Sequence, residues 1–332
     1  MLCGFVGFVK PVGYSTRAAC DVVARALRLP RGASYGHSGT LDPAASGVVV
    51  LGVGAATKLL RFLAPTKRYV ARLKFGLGSE SGDLEAGSTA SVSTPVSIAL
   101  PELRARVAAA IPSLVGEAVT QVPPANSAVS FFGERAYELV KRVGATAANE
   151  AMRVHKRREV SIYGITIGGW CGGPTCEFPE IQLSIDCGGG VYVRSIARDL
   201  GVLVGLPSLL AGLERTSSGG FGDAGLKTVS FADLVRGGRA AALAALVPPE
   251  ACLSHLGAVT LSPRDEDAWA HGAPAGVDVE PRLRTSLIAT GSDVCVYEAG
   301  GRFIGIASVL LSSGARIVVR RQRKMGALSS GD

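Results

Sequence analysis

Two stretches of the sequence place apolar residues at every second position, the period of a β-strand with one buried face. In the first, Tyr69, Ala71, Leu73 and Phe75 fall on one side, and Val70, Arg72 and Lys74 on the other. In the second, from Glu180 to Cys187, the aligned residues are Ile181, Leu183 and Ile185. Phe5 to Lys10, Val48 to Val53 and Arg158 to Ile167 also read as strands. Helical spacing appears in Ala19, Val22, Val23, Ala26 and Leu27 behind a Ser15 or Thr16 cap, then from Ala55 to Leu63, Glu102 to Ile111, Glu134 to Arg142 and Val193 to Val204. Strands and helices mixed without a regular βαβ repeat predict an α+β fold built on a mixed sheet, rather than a doubly wound one.

A chain of 332 residues suits two domains, each with its own core. Arg236 to Pro249 is rich in alanine and glycine and ends in a proline pair, which reads as a linker. Beyond it come a helix near Arg264 to His271 and strands at Ser286 to Thr290, Val294 to Glu298, Arg302 to Leu311 and Arg316 to Arg321, joined by glycine turns. That pattern predicts a small β-barrel-like domain. Gly32 to Gly47 and Gly78 to Thr94 read as loops.

Composition excludes several classes. At 47% hydrophobic and 19% charged residues, the chain buries enough apolar surface to fold. Its longest nearly apolar stretch, Gly47 to Ala56, is about half of what a membrane span needs. The first cation is Lys10, behind the apolar start instead of ahead of it, which does not fit a secretory signal and predicts a cytoplasmic protein. The 7 cysteines include no C-x-x-C pair, against a zinc ribbon or a disulfide scaffold. A net charge of +8 favours a polyanionic partner where the cations cluster.

Two motifs fail on inspection. Gly52-Val53-Gly54-Ala55-Ala56-Thr57-Lys58 lies between a strand and a helix, but Thr57 stands where a phosphate loop needs glycine, and Leu59 where it needs Ser or Thr. Gly36-His37-Ser38 lacks the second glycine of a nucleophile elbow, having Thr40 there. What remains is the loop from Gly36 to Gly47, whose glycines and Pro43 hold one carboxylate, Asp42. Taken alone, an Asp before a Pro reads as a turn residue.

This loop resembles the signature G-H-x-G-T-L-D-P segment of the TruB-type tRNA pseudouridine synthases, in which the aspartate is catalytic. The similarity continues in Lys10-Pro11-Val12-Gly13 and in Lys67-Arg68-Tyr69. It continues in Gln121-Val122-Pro123-Pro124 through Ser127-Ala128, Gly133 and Tyr137-Glu138, in Gly190-Val191-Tyr192-Val193-Arg194-Ser195, and in Leu213-Glu214-Arg215-Thr216 through Phe221. Ser15-Thr16 stands where Thr-Ser is more usual, and Val191 replaces a threonine. The resemblance implies a catalytic domain over about residues 1–247, with a helical thumb insertion over about 121–152, and a PUA-like RNA-binding barrel over 250–332.

It also implies the chemistry. Pseudouridine formation breaks the bond from ribose C1′ to uracil N1 and rejoins the base through C5, so no metal or cofactor is expected. Asp42 is the implied nucleophile, at C6 of the base or at C1′. Arg194 is the cation expected to offset its desolvation, and Tyr69 is expected to stack on the base and take part in removing the C5 proton. His37, Tyr192, Leu213, Lys10 and Lys67 are implied in substrate binding. Arg157, Arg158, Arg320, Arg321, Arg323 and Lys324 sit in two basic clusters and are expected at RNA phosphates. The implied substrate is the uridine at position 55 in the T stem-loop of tRNA, handled by a monomer with no obligatory protein partner. A guide-RNA-dependent synthase subunit and a non-catalytic RNA-binding protein on the same scaffold remain as alternatives.

Overall fold

The computed structural model describes residues 2–79, 81–83, 90–124, 127, 130–131, 134–144, 147–148, 150–152, 156–173, 176–223, 225–272, 274–278, 288–313 and 316–325. Its larger sheet is built on β1 (Gly4–Lys10), β2 (Ser46–Val53), β3 (Lys67–Phe75), β4 (Gly116–Gln121), β5 (Arg158–Cys171), β6 (Glu180–Cys187) and β7 (Ser208–Ser218). With four short strands these make an 11-stranded sheet in the order β1-β2-β7-β3-β6-β5-β4. Strand β7 is parallel to β2 and antiparallel to β3, so the sheet is mixed, as expected.

Alternation along the strands divides the core. Val6, Phe8, Val49, Leu51, Tyr69, Ala71 and Leu73 lie in one cluster. Of the helices α1 (Thr16–Ala26), α2 (Leu100–Ala110), α3 (Ala136–Val143), α4 (Val193–Val204) and α5 (Phe231–Ala244), all but α3 contribute to that cluster. Phe5, Val48 and Val50 point the other way and pack with Phe221 and with Leu59 and Phe62 of a 3₁₀ helix, Gly54–Phe62. Central strands buried on both faces account for the continuous apolar run from Val48 to Val53.

Several expectations need correction. The loop from Gly32 to Gly47 contains a short strand, Tyr35–His37, paired with β2. The linker expected over 236–249 is mostly helix α5, whose N-cap Ser230 accepts a hydrogen bond from the Asp233 amide at 3.0 Å. Its alanines are strong helix formers, and Gly238, at φ 52°, kinks the helix without ending it. Leu246–Val247 then pairs with Phe5 and Val6. The part beyond does not hang free, because Cys252, Leu253, Cys295, Phe303, Ile306 and Met325 join Phe5, Val48 and Phe221 in one apolar cluster.

The C-terminal sheet has five strands: β8 (Gly257–Thr260), β9 (Ala275–Asp278), β10 (Asp293–Tyr297), β11 (Phe303–Ser313) and β12 (Arg316–Lys324), in the order β8-β10-β11-β12-β9. Among the described residues no pairing joins β8 to β9, and no closed barrel is found there. Helix α6 (Pro263–His271) matches expectation. Of the strand expected at Ser286 to Thr290, residues 286 and 287 lie outside the described residues, and 288–290 form no strand.

The thumb leaves the sheet from adjacent strands. Gln121 at the end of β4 pairs with Arg158 at the start of β5, so the intervening segment is a long excursion from one strand pair. Its described part includes a two-residue hairpin, Ser130–Phe131 with Glu134–Arg135, helix α3, and a small core of Leu139, Ala148 and Met152 against Val122. Ala128, Gly133 and the side chain of Tyr137 lie outside the described residues.

Candidate active site

The segment bearing Asp42 is held from both ends. On one side the Thr16 hydroxyl donates to the Leu41 carbonyl at 2.7 Å and accepts from the Leu41 amide at 2.8 Å. The Asp42 carbonyl accepts from the Ala45 amide at 3.0 Å, and the Pro43 carbonyl from the Gly13 amide at 2.8 Å. Arg215, with no exposed surface, completes the frame. It donates from Nε to the Val48 carbonyl at 2.7 Å, from Nη2 to Gly39 at 3.2 Å and from Nη1 to Thr40 at 3.4 Å. Gly47 closes the loop at φ 117°, where a side chain would meet the Arg215 carbonyl oxygen at 2.2 Å, so only glycine fits there.

Opposite the loop, Tyr192 begins α4, and Arg194 lies in its first turn. Gln121, nearly fully buried, fixes that start by accepting from the Tyr192 amide at 2.8 Å and donating to its carbonyl at 3.1 Å. Arg194, 5% exposed, reaches Asp42 with Nε at 3.1 Å and Nη2 at 3.3 Å. It also faces the buried carboxylate of Asp83, at 3.6 Å, and donates to the Ser81 carbonyl at 3.0 Å. One cation thus sits between two carboxylates, and of these Asp42 is the more open, at 32% side-chain exposure. Arg194 thus engages both Asp42 oxygens, and the carboxylate still lines a cavity.

The cavity measures about 320 Å³, in the range of small-molecule clefts. Asp42, Lys67, Tyr69, Tyr192, Arg194 and Leu213 all line it, an assembly drawn from four separate stretches of sequence. A larger space of about 560 Å³ also borders Arg194, but among the described residues no carboxylate lines it, whereas Asp42 lines the smaller one. Burial pushes the Tyr69 phenol above its ordinary range, with Arg215 pulling the other way. At neutral pH the ring therefore carries its proton. Burial brings Lys67 down to about 8, helped by Arg215.

Other expected residues take different places. Lys10 is fully buried, donates to the carbonyls of Pro11 and Tyr14 at 2.9 and 2.7 Å, and does not line the cavity. Burial lowers the pKa of His37, which lies on the strand leading to the loop, outside the cavity wall. Arg158, expected at an RNA phosphate, is in the cavity wall, its guanidinium 4.6 Å from the centre of the Tyr192 ring. Arg157 lines a separate cavity together with Asp199 and Val202 of α4. Arg320 and Arg323 are exposed on β12. Arg321 instead donates to the carbonyls of Trp269 and Ala270 at 2.7 and 3.0 Å, capping the end of α6. The Lys324 side chain lies outside the described residues.

Four site residues escaped the sequence reading in their roles. In the sequence Thr16 is only a candidate helix cap, Gln121 and Arg215 stand inside motifs without a role, and Asp83 lies in a stretch that reads only as loop. Their signal is a partner far away in the chain, which no local pattern carries.

Residues 28–193 match the TruB family pseudouridylate synthase (N terminal domain). A tRNA pseudouridine synthase B of Gloeobacter violaceus is 36% identical over 318 residues, covering 95% of this chain and 98% of its own. One from Synechocystis is 38% identical over 269 residues, covering 81% of this chain and 84% of its own. Among solved structures, an archaeal box H/ACA sRNP Nop10-Cbf5 complex contains a chain of the same fold. It has a TM-score of 0.63 at 20% identity, covering 97% of this chain and 85% of that one.

Proposed function

The chain belongs to the TruB family of pseudouridylate synthases, and on that premise we propose that it converts the uridine at position 55 in the T-loop of tRNA to pseudouridine, with Asp42 as nucleophile. The observation that carries this reading is the Asp42–Arg194 pair at 3.1 Å in a cavity walled by Tyr69 and Leu213. A stacked uridine cannot reach that carboxylate, so the base is flipped out of the loop, at a free-energy cost of a few kcal/mol, and enters the cavity. Tyr69 stacks on the base, and its protonated hydroxyl takes up the C5 proton as it passes its own proton on, the balance being the N1–H that the product gains. Arg194 balances Asp42 before attack. The isomerisation is redox-neutral.

Contacts to the RNA backbone offset the cost of flipping. The thumb grips the stem-loop from one side, its base joined to the site where Gln121 and Arg158 meet Tyr192 and Gly190. The division falls between residues 247 and 250, after the last strand paired with β1. The C-terminal sheet acts as a PUA-like module presenting Arg320 and Arg323 to phosphates. The protein works as a cytoplasmic monomer without a guide RNA or a protein partner.

The test is to incubate the purified protein alone with an unmodified tRNA transcript and map pseudouridine at single-nucleotide resolution. Conversion at position 55 is expected. No conversion, or conversion only with a guide RNA or added protein, would overturn the reading.

A further inference from the structure

Lys67 opens β3, paired with Cys187 on one side and Ser218 on the other. Two residues before Tyr69, it shares that ring's face of the sheet and lines the same cavity. The ammonium packs on the catalytic loop, so closely that a methyl group at Gly39 would come within 2.9 Å of Nζ. Its charged neighbour is a second cation, Arg215, and the thiol of Cys187, pushed up to about 11 by burial, stays neutral. Among the described residues no carboxylate pairs with Lys67. A desolvated cation beside another cation disfavours the folded state, yet at neutral pH Lys67 remains mostly protonated. An unbalanced positive charge thus faces the same space as the nucleophile.

We propose that the Lys67 ammonium contacts a carbonyl oxygen of the flipped uracil and holds the negative charge that the base acquires during the reaction. The proposal rests on the pseudouridine synthase reading but not on either covalent route. If an Asp42 oxygen bonds to C6, the C5–C6 π pair is displaced through C4 and leaves its charge on O4. If it bonds to C1′, the C1′–N1 bond breaks with its pair on the base, spread over N1, O2 and O4. Either way the carbonyl oxygens gain charge, Lys67 keeps its protons, and the pair is drawn back when the C5–C1′ bond forms. A fixed cation in a cavity poor in water stabilises such a developing anion more than solvent does. Arg194 does not fill this role, because two carboxylates already balance it.

The experiment compares wild type, Lys67→Met and Lys67→Arg in single-turnover conversion of a saturating tRNA transcript, beside tRNA affinity at several salt concentrations and thermal midpoints at pH 7. Lys67→Met should slow conversion by about a hundredfold or more. Its affinity should stay within about threefold, with an unchanged salt slope. Its thermal midpoint should equal or exceed that of wild type, because an apolar chain replaces a desolvated charge. Lys67→Arg should recover part of the rate. A wild-type rate for Lys67→Met overturns the proposal. So does a loss confined to affinity with a shallower salt slope, which would make Lys67 a phosphate contact, and so does a slow rate accompanied by a lowered midpoint, which would make it structural. Failure of the wild type to convert the transcript overturns the underlying reading as well.

Discussion

Two buried arginines frame the active cavity, and their surroundings could hardly differ more. Arg194 lies between the carboxylates of Asp42 and Asp83. Arg215 meets three backbone carbonyls and, among the described residues, no carboxylate. Carbonyl dipoles satisfy a guanidinium's hydrogens without cancelling its charge. The field of Arg215 therefore reaches outward, and it contributes to lowering the pKa of Lys10, Lys67 and His37. Around Arg194 two carboxylates face one cation, and there the nucleophile resides. Around Arg215 positive charge is left over, facing the place where the base becomes negative. A buried charge can thus organise a loop or prepare a reaction, and its partners decide which.

Asp42→Asn tests the Arg194 side most severely. Single-turnover conversion should fall below about a thousandth of the wild-type rate, with tRNA affinity within about tenfold, because the carboxylate acts on the base and not on the RNA backbone. Conversion above a few per cent of wild type would remove the nucleophile assignment. Next comes Arg194→Lys, expected to lose about a hundredfold or more, since an ammonium cannot face both carboxylates with a planar fork. A normal rate in that variant would mean that the pairing with Asp42 is incidental.

Arg215→Lys probes the other side. It should lower the thermal midpoint and slow conversion about tenfold, because one ammonium cannot hold Val48, Gly39 and Thr40 in the same geometry. An unchanged midpoint would show that the loop holds its shape without this anchor. Asp83→Asn should have the smallest effect, a slowing of about tenfold or less, because Arg194 keeps one carboxylate. A loss as large as that of Arg194→Lys would place Asp83 on an equal footing with Asp42 in holding the cation. Each of these rates is read from the same conversion assay.

The C-terminal region bears on where the chain could be cut. A cut after Pro248 follows from reading residues 236–249 as a flexible linker, but α5 and the strand Leu246–Val247 occupy most of that stretch. Removing everything beyond it would uncover Phe5, Val48, Val50 and Phe221. Exposed Arg320 and Arg323 are better targets for testing phosphate contacts, whereas Arg321 is engaged at the end of α6.

Features with a local cause were legible in the sequence. The period-2 pattern placed Tyr69 among buried residues on one face of β3, which its 5% exposure bears out. The stretch from Val193 to Val204 became helix α4, ending at Gly205 in the left-handed conformation at φ 76°. Ser15 caps α1 by accepting from the Ala18 amide at 3.1 Å. The loop around Asp42 stood out through its motif resemblance, whose residues are contiguous. In each case neighbouring residues carry the information, through strand period, helix period or turn chemistry.

The tertiary structure alone decided which distant groups share a charge or a hydrogen bond. Arg215 reaches Gly39 across 176 positions, and Arg194 reaches Asp42 across 152. Such pairings depend on strand order and register, with β7 lying between β2 and β3, and no periodicity along the chain encodes that order. The same holds for Lys67. In sequence it is one basic residue among 35 Lys and Arg, and its unbalanced charge exists only because folding brings it beside Arg215, with no carboxylate partner among the described residues. Residue type determined that these groups carry charge, and folding removed the water that would otherwise have screened them from each other.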